Sequence, residues 1–123
     1  MGVVKGLLAS AGVAVLMCGL VACAGSPKAT QPSGAGLVVN ITIAKGQVTP
    51  SNATLQVRVS QPITLRVTSD AVDELHVHSV PDHKFPVAVA ANQTFQFSVD
   101  VPGNVDVELH HLDRTIATIQ VRP

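Results

Sequence analysis

From residue 37 to residue 123 the chain alternates apolar and polar side chains with a period of two. The runs are four to seven residues long and are broken by turn-forming residues. This alternation limits the fold more than any other feature, because period two belongs to half-buried strands and period 3.6 to helices. Eight strands are predicted: Leu37–Ile43, Thr54–Val59, Ile63–Thr68, Glu74–His78, Val87–Ala90, Thr94–Val99, Val105–Leu109 and Thr115–Val121. Thr49-Pro50, Asp70, Pro81-Asp82, Ala91-Asn92, Pro102-Gly103 and Leu112-Asp113 separate them. Val alone occurs sixteen times in this stretch, and β-branched side chains suit a pleated surface. No segment carries an apolar stripe at helical spacing. Many short strands at roughly ten-residue intervals predict an all-β fold, a two-sheet sandwich or a barrel. The alternation also predicts facing: Leu75, Val77, Val105, Val107 and Leu109 point inward, and Glu74, His76, His78, Asp106, Glu108 and His110 outward.

The remaining residues read as an address and a spacer. Gly6 to Leu20 is an apolar run of 15 residues after a single early Lys5. That is the length of a signal-peptide core and shorter than the ~20 residues that span a bilayer. The run ends in Leu20-Val21-Ala22-Cys23, which resembles the lipobox of bacterial lipoproteins. The resemblance implies that residues 1–22 are a lipoprotein signal peptide, cleaved before a diacylglyceryl-modified Cys23. It further implies an exported protein anchored in the lipid bilayer of the cell envelope. An ordinary secretory signal with an incidental Cys23 is the plainer reading. Two or three acyl chains anchor stably where one is marginal, at ~0.8 kcal/mol per buried CH₂. Residues 23–36 carry almost no large apolar side chain. Their Gly, Ser, Pro and Ala content predicts a flexible linker between the lipidated Cys23 and a domain over 37–123.

Composition then excludes several functions. Eight Lys+Arg balance eight Asp+Glu, so no cationic surface is set up for nucleic-acid phosphates. There is no Trp, no Tyr and only three Phe, too few for base stacking. Nucleophile-elbow, phosphate-loop and paired-carboxylate motifs are absent, so no enzymatic activity is expected. The two Cys are Cys18 and Cys23 and the two Met are Met1 and Met17. A mature domain starting beyond them has no disulfide and no free sulfur.

The order of pieces resembles the cupredoxins. Gly46-Gln-Val-Thr-Pro50 follows a first strand, Leu55–Val59 and Ile63–Val67 stand where a hairpin is expected, and Ser69-Asp-Ala-Val-Asp-Glu-Leu-His76 leads into a His-bearing strand. Phe97-Ser-Val-Asp-Val-Pro-Gly103 opens the strand that in cupredoxins ends in a copper-binding Cys. Asp-Glu-Leu-His-Val-His and Val-Glu-Leu-His look most like the Cys-less cupredoxin-like domains of secreted actinobacterial proteins. The resemblance implies an eight-stranded Greek-key β-sandwich. It also places Leu109 at the Cys position, with no Met following. A blue-copper site needs a thiolate, usually with a weak axial Met. Blue-copper electron transfer is therefore excluded.

All five His lie between positions 76 and 111. His76 and His78 share one face of their strand, as do Glu108 and His110. If the two strands are neighbours, as in a cupredoxin, these four form a square patch with Glu74 at its edge. Three imidazoles and a carboxylate suit copper or zinc in the divalent state, and free imidazole is mostly neutral at pH 7. His76, His78 and His110 are the candidate metal ligands, with Glu108 as a fourth ligand or an acceptor behind one of them. His83, in a predicted loop, is a spare ligand, and His111 is a strand-end residue. The same pattern also reads as a solvated ladder in which Glu108 pairs with a protonated His, or as a patch for a protein or cell-wall partner. Asp70, Asp73 and Asp82 fit either turn chemistry or cation attraction.

Overall fold

The computed structural model describes residue 2 and residues 34–123; the predicted signal peptide, Cys23 and most of the linker lie outside the described residues. Nine strands follow in order: β1 (Leu37–Ala44), β2 (Gln47–Thr49), β3 (Ala53–Arg58), β4 (Ile63–Ser69), β5 (Asp73–Val77), β6 (His83–Val87), β7 (Ala90–Phe97), β8 (Gly103–Leu109) and β9 (Arg114–Arg122). They form two mixed sheets, β2-β1-β4-β7 and β3-β9-β8-β5-β6. The two inner faces share one core, so the domain is a β-sandwich.

The alternation reports facing correctly. Along β1, Leu37, Val39, Ile41 and Ile43 are buried while the residues between them are exposed. Leu75, Val77, Val105, Val107 and Leu109 are all buried as expected. Each such side chain removed from water contributes about 1.5–3 kcal/mol. Strand β9 breaks the rhythm, because Ile116 and Ala117 are both buried. A register shift opposite Val107 and Glu108 takes up the extra residue as a bulge.

Nine strands rather than eight are present because of β2, and one predicted strand is displaced. Strand β2 has three residues and buries only Val48, too little for alternation to reveal. The predicted strand at 87–90 is in fact the junction of two others: Val87 closes β6 and Ala90 opens β7. Pro86 lies within β6, which is tolerated because β6 is an edge strand paired only with β5. The expected hairpin of the third and fourth strands is not formed. β3 pairs in parallel with β9, and β4 in parallel with β1 in the other sheet. The connecting segment is tied to both sheets, Val59 N donating to the Arg122 carbonyl and Ser60 N to the Val99 carbonyl.

Candidate functional site

The register of β5 against β8 builds the patch. Leu75 lies opposite Leu109, His76 opposite Glu108 and Val77 opposite Val107. The two apolar pairs face the core, so His76 and Glu108 between them face outward. The ladder continues at both ends: His78 N donates to the Asp106 carbonyl at 2.9 Å, and His110 N to the Glu74 carbonyl at 3.0 Å. One outward surface therefore carries Glu74 beside His110, His76 beside Glu108, and His78 beside Asp106.

The three predicted imidazoles do come together. The His76 ring centroid is 4.0 Å from that of His78 and 5.9 Å from that of His110. Every ring also meets a carboxylate. His78 Nε2 is hydrogen-bonded to Glu108 Oε2 at 2.9 Å. His76 Nε2 lies 3.3 Å from Asp82 Oδ2, and His110 Nδ1 lies 3.3 Å from Glu74 Oε1. Shelter is graded: the side chain of His76 is 18% exposed, that of His78 46% and that of His110 60%. Among the described residues, no three His, Cys, Asp or Glu side chains are already set around one point as a metal cage. Instead, one nitrogen of each ring lies beside a carboxylate, hydrogen-bonded in the case of His78 and at ion-pair distance in the cases of His76 and His110.

Other predicted residues fall elsewhere. His83 belongs to β6, not a loop, and lies opposite Val77 on the core-facing side. Its ring is parallel to Phe85 within 2° at 5.9 Å and lies 5.4 Å from Phe97. With Phe95, which stacks on Phe85 at 5.1 Å, these rings bridge the sheets where β6 and β7 meet. His83 thus faces away from the patch, because its strand alternates like any other. His111 N donates to Asp73 Oδ1, and its ring lies 3.4 Å from the Val72 carbonyl.

The acidic residues resolve into separate roles. Asp73 is buried and accepts the backbone N–H groups of Glu74, His111 and Leu112. Asp70 Oδ2 accepts Lys45 N at 2.8 Å. Both serve turns. Asp82 is the member of the site that the sequence did not place there. Its signal was hidden in the β5–β6 connection: pairing of His76 with Lys84 in β6 folds the preceding Asp82 back toward the histidines.

No family model matches the sequence, and no curated protein matches it. Solved structures do. A reduced Cu(I) form of an amicyanin variant at pH 4 superposes with a TM-score of 0.51 at 18% identity, covering 71% of this chain and 82% of that one. A Cu(I) form of a second amicyanin variant gives 0.50 at 18% identity, covering 76% and 97%. The domain has a cupredoxin-like fold. At the position that the sequence resemblance matched to the copper-binding Cys, this cupredoxin-like domain has Leu109, 1% exposed and opposite Leu75 in the core. Residues 34–123 contain no Cys and no Met. The donor set does not fit a thiolate-ligated copper.

Proposed function

We propose that this is an exported, lipid-anchored protein whose cupredoxin-like domain binds and buffers a divalent metal ion as cargo. The ligands are His76, His78 and His110, with Glu108 as a fourth ligand or as acceptor behind His78. The observation that carries this reading is the gathering of three imidazoles on β5 and at the ends of β5 and β8, each ring beside its own carboxylate. His78 Nε2 is hydrogen-bonded to its carboxylate, and one nitrogen each of His76 and His110 lies 3.3 Å from its own. His76 Nδ1, His78 Nδ1 and His110 Nε2 have no protein hydrogen bond among the described residues. A carboxylate on one ring nitrogen fixes the tautomer and makes the other a better ligand. Rotamer changes of exposed side chains are fast, so the more exposed rings of His78 and His110 are free to turn toward an ion held beside His76.

Imidazole and carboxylate are borderline-to-hard donors suited to Cu(II) and Zn(II), and divalent copper is held most tightly by such sets along the first-row series. That order favours copper. The superposable amicyanin structures, which hold Cu(I), support copper as well. The anchor rests on Leu20-Val-Ala-Cys23.

Titration of the purified mature protein with Cu(II) and with Zn(II) tests the reading. The expected result is a Kd below about 1 μM for copper, equivalent to about 8 kcal/mol. His76→Ala and His110→Ala should each weaken it more than about tenfold. Binding unchanged in both variants, or none in the parent, rejects the site and leaves the patch as a surface for an envelope partner. In cells, Cys23→Ser should shift the protein out of the membrane fraction or leave it unprocessed; unchanged fractionation together with unchanged processing rejects the anchor.

A further inference from the structure

We infer that the histidine patch releases its metal cargo by direct ligand exchange with an incoming donor, His110 leaving first and His76 last. This rests on the metal-binding reading and adds the order and manner of release. The basis is the graded shelter of the three rings together with their place in the fold. His76 sits inside β5, flanked by the rings of His78 and His110, with Glu108 opposite it on one side and Lys84 on the other. It is the least exposed of the three and the only one next to both other rings. His110 lies one residue beyond the end of β8, in the turn that leads to β9. Its backbone N–H donates to the Glu74 carbonyl, and its ring lies beside the Glu74 carboxylate and 5.9 Å from the tilted ring of His76.

A metal site on an open sheet face differs from one at the bottom of a pocket. With Glu108 held as acceptor on His78 Nε2, three imidazoles leave at least one coordination position for solvent or an incoming ligand. Here that position faces outward, because every donor projects from the same side of the same sheet. A carboxylate or amine from outside can therefore bond to the ion before any imidazole departs. The exchange then balances simply. One donor–metal bond forms, the His110–metal bond breaks, the imidazole keeps its nitrogen lone pair, and the oxidation state of the ion does not change. Exposed rotamers interconvert in picoseconds to nanoseconds, so the departing ring needs no movement of the backbone.

Stopped-flow mixing of Cu(II)-loaded mature protein with excess EDTA, followed by the copper absorbance, tests this. The observed rate should rise in proportion to EDTA concentration without a plateau. Glu74→Gln leaves the backbone pairing intact and loosens only the His110 ring. It should speed transfer about tenfold, the lower end of the effect of removing a partner behind a ligand. Asp82→Asn, behind the last ligand to leave, should lower equilibrium affinity while changing the rate of the first exchange less than Glu74→Gln does. A release rate independent of EDTA overturns direct exchange although the protein binds copper. A Glu74→Gln rate equal to wild type, or exceeded by that of Asp82→Asn, overturns the order. Failure to load copper at equilibrium overturns both this inference and the reading beneath it, and equilibrium titration separates that case from the others.

Discussion

Asp73 lies in the core layer of β5, where an isolated carboxylate would be costly, and it is kept there by backbone donors. Its Oδ1 accepts Glu74 N at 2.7 Å and His111 N at 2.8 Å, and its Oδ2 accepts Leu112 N at 3.1 Å. These bonds fasten the β8–β9 turn to the start of β5, and that turn carries His110. Asp73→Ala leaves the His111 and Leu112 amides without acceptors, which costs about 1–3 kcal/mol. Urea denaturation should show a lower midpoint with an unchanged slope. Asp73→Asn keeps one accepting oxygen and should cost less than the alanine variant. Equal midpoints for Asp73→Ala and wild type would contradict this role. In the sequence, Asp73 carried two readings, turn chemistry and cation attraction. Burial decides for the turn, and burial of an acidic residue is not something alternation announces.

At the scale of elements, alternation reported the inward faces of strands such as β5 and β8 but not which strands pair. Strands β3 and β4 are consecutive and separated by a Ser60-Gln-Pro62 turn, the signature of a hairpin, yet they belong to opposite sheets. Period two describes a strand's two sides; it carries no information on which edge pairs with which. A close approach helps fix this crossing: a side chain at Gly36 would run into the Pro62 carbonyl, while Leu37 N donates to that same oxygen at 2.9 Å. Strand β2 was missed although its turn left a mark. Lys45 and Gly46 have φ of 54° and 71°, and Ala44 pairs with Gln47, a two-residue hairpin turn of the primed kind. Asn-Gly is the preferred pair there, and Lys-Gly hides the signal. A left-handed φ costs an ordinary residue about 1–2 kcal/mol and Asn less. Lys45→Asn should therefore stabilise the domain by up to about 1 kcal/mol, or about 4–8 °C in Tm for a domain of this size. The backbone bond from residue 45 to Asp70 is retained. A lower Tm would show that this turn is not strained at Lys45.

For the whole molecule, the candidate site was legible to the degree that it follows from alternation plus one neighbour relation. His76, His78, Glu108 and His110 are outward by parity, and the pairing of β5 with β8 brings them together. Asp82 was not legible, because it depends on β6 folding back along β5; nor was the inward ring of His83, because its strand was read as a loop. The same architecture sets the electronic character of the proposed centre. Apart from Ser69, Asp73 and the ring of His83, the inner faces of the sandwich are hydrocarbon, and the residue at the matched Cys position is Leu109 in that core. Every donor of the proposed centre is a nitrogen or an oxygen on an outer sheet face. Intense blue-copper colour requires a thiolate, which residues 34–123 lack. Cu(II)-loaded mature protein should therefore be pale, with only weak visible absorption. Reduction to Cu(I), a softer ion that prefers sulfur, should weaken binding more than about tenfold, a difference of at least about 1.4 kcal/mol. Optical titration of the oxidised form and competition for Cu(I) by a sulfur-free chelator measure both. An intense visible band, or tighter holding of Cu(I) than of Cu(II), would mean that sulfur reaches the ion from outside this domain and that the imidazole patch is not where copper sits.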